Sequence, residues 1–205
     1  MKNKGDTMRG ILFVLSGPSG TGKGTVCERI LEREDTLAIS VSATTRERKN
    51  GEVDGKTYHY VTRDEFESMI DRGDMLEYAL YNGNYYGTPK AAVESLLSEG
   101  KDVMLEIEPQ GALQVKRLFP EAILIFLIPP SMKELKRRLL TRGRESVDEI
   151  NERINTAKWE LKQADKYTTL IENNDLEQCV GQVLEYIDSK RKESIKINDL
   201  INEEV

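Results

Sequence analysis

Gly17-Pro18-Ser19-Gly20-Thr21-Gly22-Lys23-Gly24-Thr25 is the stretch from which the rest of this sequence is read. The apolar run Ile11-Leu12-Phe13-Val14-Leu15 leads into it, and residues 23 to about 34 leave it with a helical pattern. Strand, glycine-rich loop and helix in that order form the setting of a phosphate-binding loop. Glycines let the backbone curl until successive N–H groups point inward around an anion. The helix that follows adds the positive end of its dipole and its unpaired N–H donors. Lys23 supplies a compact positive charge for the outer phosphates of a nucleotide. A Ser or Thr ordinarily follows the lysine and ligates Mg²⁺. Here Gly24 follows, and Thr25 comes one residue late. Mg²⁺ is therefore expected to sit mainly on phosphate oxygens and water.

At 205 residues the chain has the size of one domain with room for inserted subdomains. A formal net charge of −6, with 32% charged residues, argues against general affinity for nucleic acid or an anionic membrane. No apolar run approaches the length that spans a bilayer, and residues 1–7 lack a secretory apolar core. Cys27 and Cys179 stand far apart without metal-ligand spacing, as reduced thiols of a cytoplasmic protein would.

Beyond the first helix, residues 38–43 read as a strand opening into the polar loop 44–52, which carries Arg46, Arg48 and Lys49. A short aromatic strand is expected at 58–61, and a helix at 65–72 with Thr62 and Asp64 as candidate caps and Gly73 as its stop. Residues 75–81 and 85–87 flank Asn82-Gly83, a hairpin signal. Residues 42–88 thus read as a strand-rich insert whose tyrosines are expected to pack. His59, the sole histidine, is a strand residue without a catalytic role. Pro89 opens a helix to about 99. The strand 102–108 then carries Glu106 and Glu108 at its C-terminal end, where ligands of parallel sheets gather. A helix over 111–119 and the most apolar strand, 122–128, follow.

Ser131 is the expected cap of a helix over 132–140, and Arg137, Arg138, Arg142 and Arg144 crowd its end around Gly143. A second helix over 147–164, capped by Ser146, carries Arg153, and its Trp159 is expected to pack against the core. A strand at 168–171 and a helix at 175–191 close the domain, with a charged tail over 189–205. Alternating strands and helices predict an α/β fold. It has a P-loop NTPase-type parallel sheet core (8–41, 89–132, 157–188), the insert at 42–88 and a helical lid at 133–156. Phosphoryl transfer needs donor and acceptor aligned, water excluded and charge on the moving oxygens neutralised. Arginines suit that task because they stay ionised and grip two oxygens at once, and a helical hairpin bearing them can close over the site.

With these segments in view, the chain resembles guanylate kinase. The resemblance rests on residues 17–25, Ser42-Ala43-Thr44-Thr45-Arg46, Asn50 to Gly55 with Tyr58, Asn84-Tyr85-Tyr86-Gly87-Thr88, and Glu106-Ile107-Glu108-Pro109-Gln110-Gly111. Arg142-Gly143, Arg153 and Asn173-Asn174-Asp175 complete it, over roughly residues 8–188. The resemblance implies transfer of the γ-phosphoryl of ATP to GMP, and by extension dGMP, with Mg²⁺. It implies that Gly17, Pro18, Ser19, Gly20, Thr21, Gly22, Lys23, Gly24 and Thr25 hold ATP, with Asn173 near adenine. It places Lys23, Arg138, Arg142 and Arg153 on the transferring phosphates. Arg46, Lys49, Tyr58 and Tyr86 would hold the GMP phosphate, Ser42, Glu77, Thr88 and Glu108 would read guanine, and Glu106 would organise magnesium water.

Three departures from the family pattern stand out. Lys49 replaces an arginine, keeping charge but losing the bidentate fork, with Arg48 beside it. Gly24 replaces the hydroxyl residue, and Glu106 and Glu108 are one methylene longer than the aspartates more frequent there. Two alternatives are a non-catalytic guanylate-kinase-like module that binds phosphopeptides and a kinase for another monophosphate. Intact loop glycines and Lys23 speak against the first.

Overall fold

The structure, a computed structural model, describes residues 8–81, 83–141, 147–201 and 203. In chain order the elements are β1 (Leu12–Ser16), α1 (Lys23–Leu31), β2 (Leu37–Ile39), β3 (Ala43–Thr44), β4 (His59–Tyr60), α2 (Arg63–Asp71), β5 (Met75–Tyr81) and β6 (Asn84–Pro89). They continue as α3 (Lys90–Ser98), β7 (Asp102–Glu106), α4 (Pro109–Leu118), β8 (Ile123–Ile128), α5 (Met132–Thr141), α6 (Val147–Leu161), β9 (Thr169–Glu172) and α7 (Leu176–Ile201), with a short 3₁₀ turn at Ala164–Lys166. The chain divides into two units, one of residues 1–16 and 35–124, the other of residues 17–34 and 125–205.

In the first unit β1 pairs in parallel with β7, and β7 with β2. All five residues of β1 are buried, as an apolar run covered on both faces of a parallel sheet should be. A second sheet in the same unit has the order β4-β3-β6-β5. β5 and β6 are antiparallel with Tyr81 opposite Asn84, as the hairpin reading requires; Asn82 itself lies outside the described residues, and Gly83 has φ 78°. Phe66 of α2 packs with Ala43 and Met75, and its ring stacks on Tyr85 at 5.1 Å.

The expected strand over 38–43 is two strands: β2 pairs with β7, whereas β3 pairs with β4 and β6. Ser40 and Ser42 bring little apolar surface to hold the link between them in either ladder. The strand expected to reach 108 ends at Glu106, because Pro109 starts α4 with its fixed φ and missing N–H. Glu108 is thereby the exposed residue that precedes the helix, not a strand end.

In the second unit β8 and β9 are parallel, with Ile125 opposite Thr169. Leu135 and Leu139 of α5 pack against Ala157 of α6. Trp159, expected in the core, is 50% exposed. The inward stripe of α6 runs through buried Ile150 and Ala157 with half-buried Ile154 between them, and Trp159 sits two residues off it. The closing helix continues well past the expected 191, through most of the charged tail. No Gly or Pro interrupts residues 189–201, Lys190 pairs with Glu193, and Arg191 meets Glu34 beside α1 at 3.0 Å. Both cysteines are free and buried, and burial pushes the Cys179 thiol up to about 11. No helix among the described residues is long and apolar enough to cross a membrane.

Thr62 caps α2: its hydroxyl accepts from the Glu65 N–H at 3.2 Å, and the Glu65 carboxylate accepts from the Thr62 N–H at 2.7 Å. Thr62→Ala is expected to lower the unfolding free energy by about 1 kcal/mol, measured by urea denaturation, with the denaturant slope unchanged.

Candidate active site

The Gly17–Gly22 backbone is held in conformations that side chains disfavour. Gly17, Gly20 and Gly22 have φ of 147°, 89° and 89°. Space is equally restrictive: a Cβ on Gly17 would lie 2.3 Å from the Leu127 carbonyl oxygen, and one on Gly20 would meet Leu139 of α5 at 2.9 Å. Within the loop, the Thr21 hydroxyl and N–H both donate to the Pro18 carbonyl, at 2.7 and 3.2 Å. Gly22 stands in the left-handed region as the residue before α1, so no side chain covers the first N–H groups of that helix. Lys23, 7% exposed, donates from Nζ to the Gly17 carbonyl at 2.7 Å and lies across the loop it follows. Gly24 is half-buried and Thr25 exposed on the first turn.

Side chains from distant parts of the same unit brace this loop. Arg153 of α6 donates from Nη2 to the Ser19 hydroxyl at 2.6 Å. Asn173, 6% exposed, donates from Nδ2 to the Thr21 carbonyl at 2.7 Å. The Asn173 carbonyl accepts from Arg138 Nη2 at 2.9 Å, and Arg138 Nε donates to Glu134 at 2.9 Å. Glu134, shared by Arg137 and Arg138, is held down at about 2 by those two guanidinium bonds. Arg153 and Asn173 thus bond the loop directly, and Arg138 reaches it through Asn173. Arg142 lies outside the described residues. Glu134 bears no motif signal beyond its spacing from the two arginines.

A second polar region lies in the first unit. A cavity of roughly 160 Å³ is lined by Ser40, Ser42, Thr57, Tyr58, Thr88 and Glu106 with Ile39, Leu105 and Ile107. Beside Tyr58, the Arg46 guanidinium lies 5.6 Å from the Tyr58 ring centre and 6.0 Å from that of Tyr60. Arg46 Nη2 donates to Glu52 at 2.7 Å and Nη1 to the Glu47 carbonyl at 2.7 Å. Glu52 also accepts from the Lys49 N–H and the Tyr60 hydroxyl, each at 2.8 Å. The Arg46 bond and the Lys49 N–H hold the Glu52 carboxyl down at about 2, and Glu52 in turn raises Arg46. Tyr58 and Tyr86 meet edge to face at 5.9 Å, and burial raises the Tyr58 hydroxyl. The Lys49 side chain is exposed, as is that of Arg48. Glu52 organises this cluster, yet from sequence it was only one letter of a loop motif.

Glu77 differs from every other site carboxylate. It is 6% exposed on β5, and its Oε1 accepts from the Thr88 hydroxyl on the paired strand at 2.7 Å. Burial pushes its carboxyl up to about 7, against the opposing effect of Thr88. Among the described residues no three His, Cys, Asp or Glu side chains cluster as a metal cage. Mg²⁺ carried by phosphates keeps most of its water and takes few carboxylates. Glu106, exposed at the C-terminal end of β7, is of the right chemistry for one such contact.

A glycine loop of this conformation, with its lysine and the converging arginines, defines a P-loop nucleotide-binding protein. The family model for guanylate kinase matches residues 9–190. A guanylate kinase of Thermus thermophilus is 49% identical over 194 residues, covering 95% of this chain and 88% of its own. One from Clostridioides difficile is 45% identical over 195 residues, covering 95% of each. The crystal structure of guanylate kinase from Anaplasma phagocytophilum superposes with a TM-score of 0.71 at 32% identity, covering 90% of this chain and 87% of that one. The chain belongs to the guanylate kinase family.

The raised Glu77 carboxyl has a consequence for stability. The folded chain holds this proton up to about 7, whereas an unfolded carboxyl releases it near 4.5, so stability falls as pH rises through that window. Glu77→Gln is expected to lack this loss. Chemical denaturation between pH 5 and pH 8 should show the variant gaining on the parent protein as pH rises.

Proposed function

We propose that the chain transfers the γ-phosphoryl group of ATP to GMP or dGMP, giving ADP and GDP or dGDP, through two separately built nucleotide sites. Residues 17–25 take the ATP phosphates, with their N–H groups and Lys23 facing the anion. Arg138, Arg142 and Arg153 neutralise the transferring phosphoryl oxygens. The bonds of Arg153 to Ser19 and of Arg138 to Asn173 support this reading. Arg46, Lys49, Tyr58 and Tyr86 take the GMP phosphate. Arginine carries five N–H donors, so the Arg46 fork that bonds Glu52, Glu47 and Tyr86 would meet phosphate oxygens by exchanging some of these contacts. Asn173 approaches the adenine of ATP and also braces the loop through the Thr21 carbonyl. Bound Mg²⁺ would draw charge from the phosphates of ATP, and Glu106 would orient its water. Buried thiols and an acidic chain suit work in the cytoplasm.

Guanine is read by Glu77, Ser42, Thr88 and Glu108. Its ring N1–H and exocyclic N2–H₂ donors lie on one edge, where one ionised carboxylate accepts both. Adenine presents an acceptor at N1, so AMP would leave a buried carboxylate unpaired, a costly mismatch. The observation that carries this reading is the sequestered Glu77 carboxylate, bonded to a Thr88 that lines the cavity. The intact loop and its lysine support catalysis over phosphopeptide binding.

A coupled assay of ADP formation with GMP, dGMP, AMP, UMP and dTMP tests the acceptor; a preference for any non-guanine base would defeat the Glu77 assignment. Lys23→Ala is expected to abolish transfer while leaving GMP affinity by calorimetry unchanged, and equal loss of GMP affinity would mean the two pockets are exchanged.

Only the ionised form of Glu77 accepts both guanine donors, and its carboxyl titrates at about 7 in the folded chain. The KM for GMP should therefore fall about fivefold as pH rises from 6 to 7 and level off by about pH 8. In Glu77→Gln the break near neutrality should vanish.

A further inference from the structure

We propose that Gly111 is a positioning residue for the acceptor base: the bare face of the first turn of α4 sets where the Glu77 carboxylate stands. This deepens the reading of Glu77 as the guanine-facing group and rests on it. A Cβ built on Gly111 would lie 2.6 Å from Glu77 Oε2, 3.3 Å from Cδ and 3.4 Å from Cγ. The outer half of the Glu77 side chain therefore lies directly on the glycine.

Backbone torsion does not account for the glycine, since Gly111 is an ordinary helical residue without a positive φ. Alanine is the better helix former at such a position. What the glycine supplies is room. From the other side Thr88 fixes Oε1 at 2.7 Å, so the carboxylate is set between a hydroxyl and a surface without a side chain. A methyl group at 111 would meet only the far end of a side chain, which the fold absorbs by moving that end. The carboxylate then leaves the orientation in which both oxygens serve a base.

Steady-state kinetics of Gly111→Ala, Glu77→Asp and the double variant, with GMP and ATP varied separately, test this. Gly111→Ala should keep its thermal midpoint and its KM for ATP, while the KM for GMP rises about tenfold or more and the preference for GMP over AMP shrinks. Glu77→Asp alone withdraws the carboxylate by one methylene and also raises the KM for GMP. In the double variant the shorter side chain clears the new methyl group. Its KM increase should be smaller than the product of the two single increases, by about fivefold or more.

A folded Gly111→Ala with the parent KM for GMP, or a double variant whose effects simply multiply, would overturn the proposal. Should Gly111→Ala alone fail to fold, Glu77→Asp in the same chain must restore folding, and its failure to do so overturns the proposal equally. Glu77→Gln separates the two levels. If it keeps the parent KM and base preference, the guanine reading itself is wrong. If it loses them while Gly111→Ala does not, only the role of Gly111 falls.

Discussion

The Leu127 carbonyl oxygen stands so near Gly17 that a side chain at that position would have to overlap it. With Gly20 pressed against α5 and Gly22 turned left-handed ahead of α1, this close approach dictates the loop that holds Lys23 over its own backbone. Contacts from far along the chain accept that conformation rather than create it. Arg153, Asn173 and Arg138 bond to what the glycines leave exposed: a hydroxyl, a carbonyl and the brace itself. An anion site made of backbone donors works only if the backbone is already in place, because reorganising it at each turnover would consume the binding energy.

The acceptor region uses carboxylates in two opposite ways. Glu52 lies near solvent, ringed by a guanidinium, an N–H and a phenol, and is ionised under almost any condition. It holds Arg46 beside the Tyr58 and Tyr60 rings, so the cation is oriented at little entropic cost before it meets phosphate. Glu77 is buried with only Thr88, through its hydroxyl and backbone, stabilising its charge, and with a bare glycine against its outer oxygen. Desolvation dominates there, so its charge is weakly stabilised and responsive to what is brought against it. The same residue type thus serves as a fixed support in one place and as a discriminating group in the other.

Local chemistry was legible wherever one segment decides its own shape. The glycine loop, the Thr62 cap with Glu65 three residues on, and the hairpin joining β5 to β6 depend on torsions and bonds within a few residues. Patterns failed where the deciding partner is remote. Ser40 to Ser42 read as one strand with their neighbours, but different sheets claim the two ends. Trp159 suggested a core position by its type, while the register of α6 turned it outward. Glu108 was read at the end of a strand, and a proline that starts a helix moved it. The charged tail gave no packing pattern, yet the absence of breakers and the Arg191 pair with Glu34 carry α7 to Ile201.

From its sequence alone this chain was determined to be a P-loop protein of alternating strands and helices resembling guanylate kinase. That much is written in glycines, a lysine and apolar periodicities, which act over short distances. Tertiary structure alone decided that Glu77 is stripped of water, that Glu52 gathers Arg46 and two tyrosines' worth of contacts into one network, and that Gly111 lies under a carboxylate. Burial, charge pairing and steric room are properties of groups brought together from distant parts of the chain, and no single segment contains them.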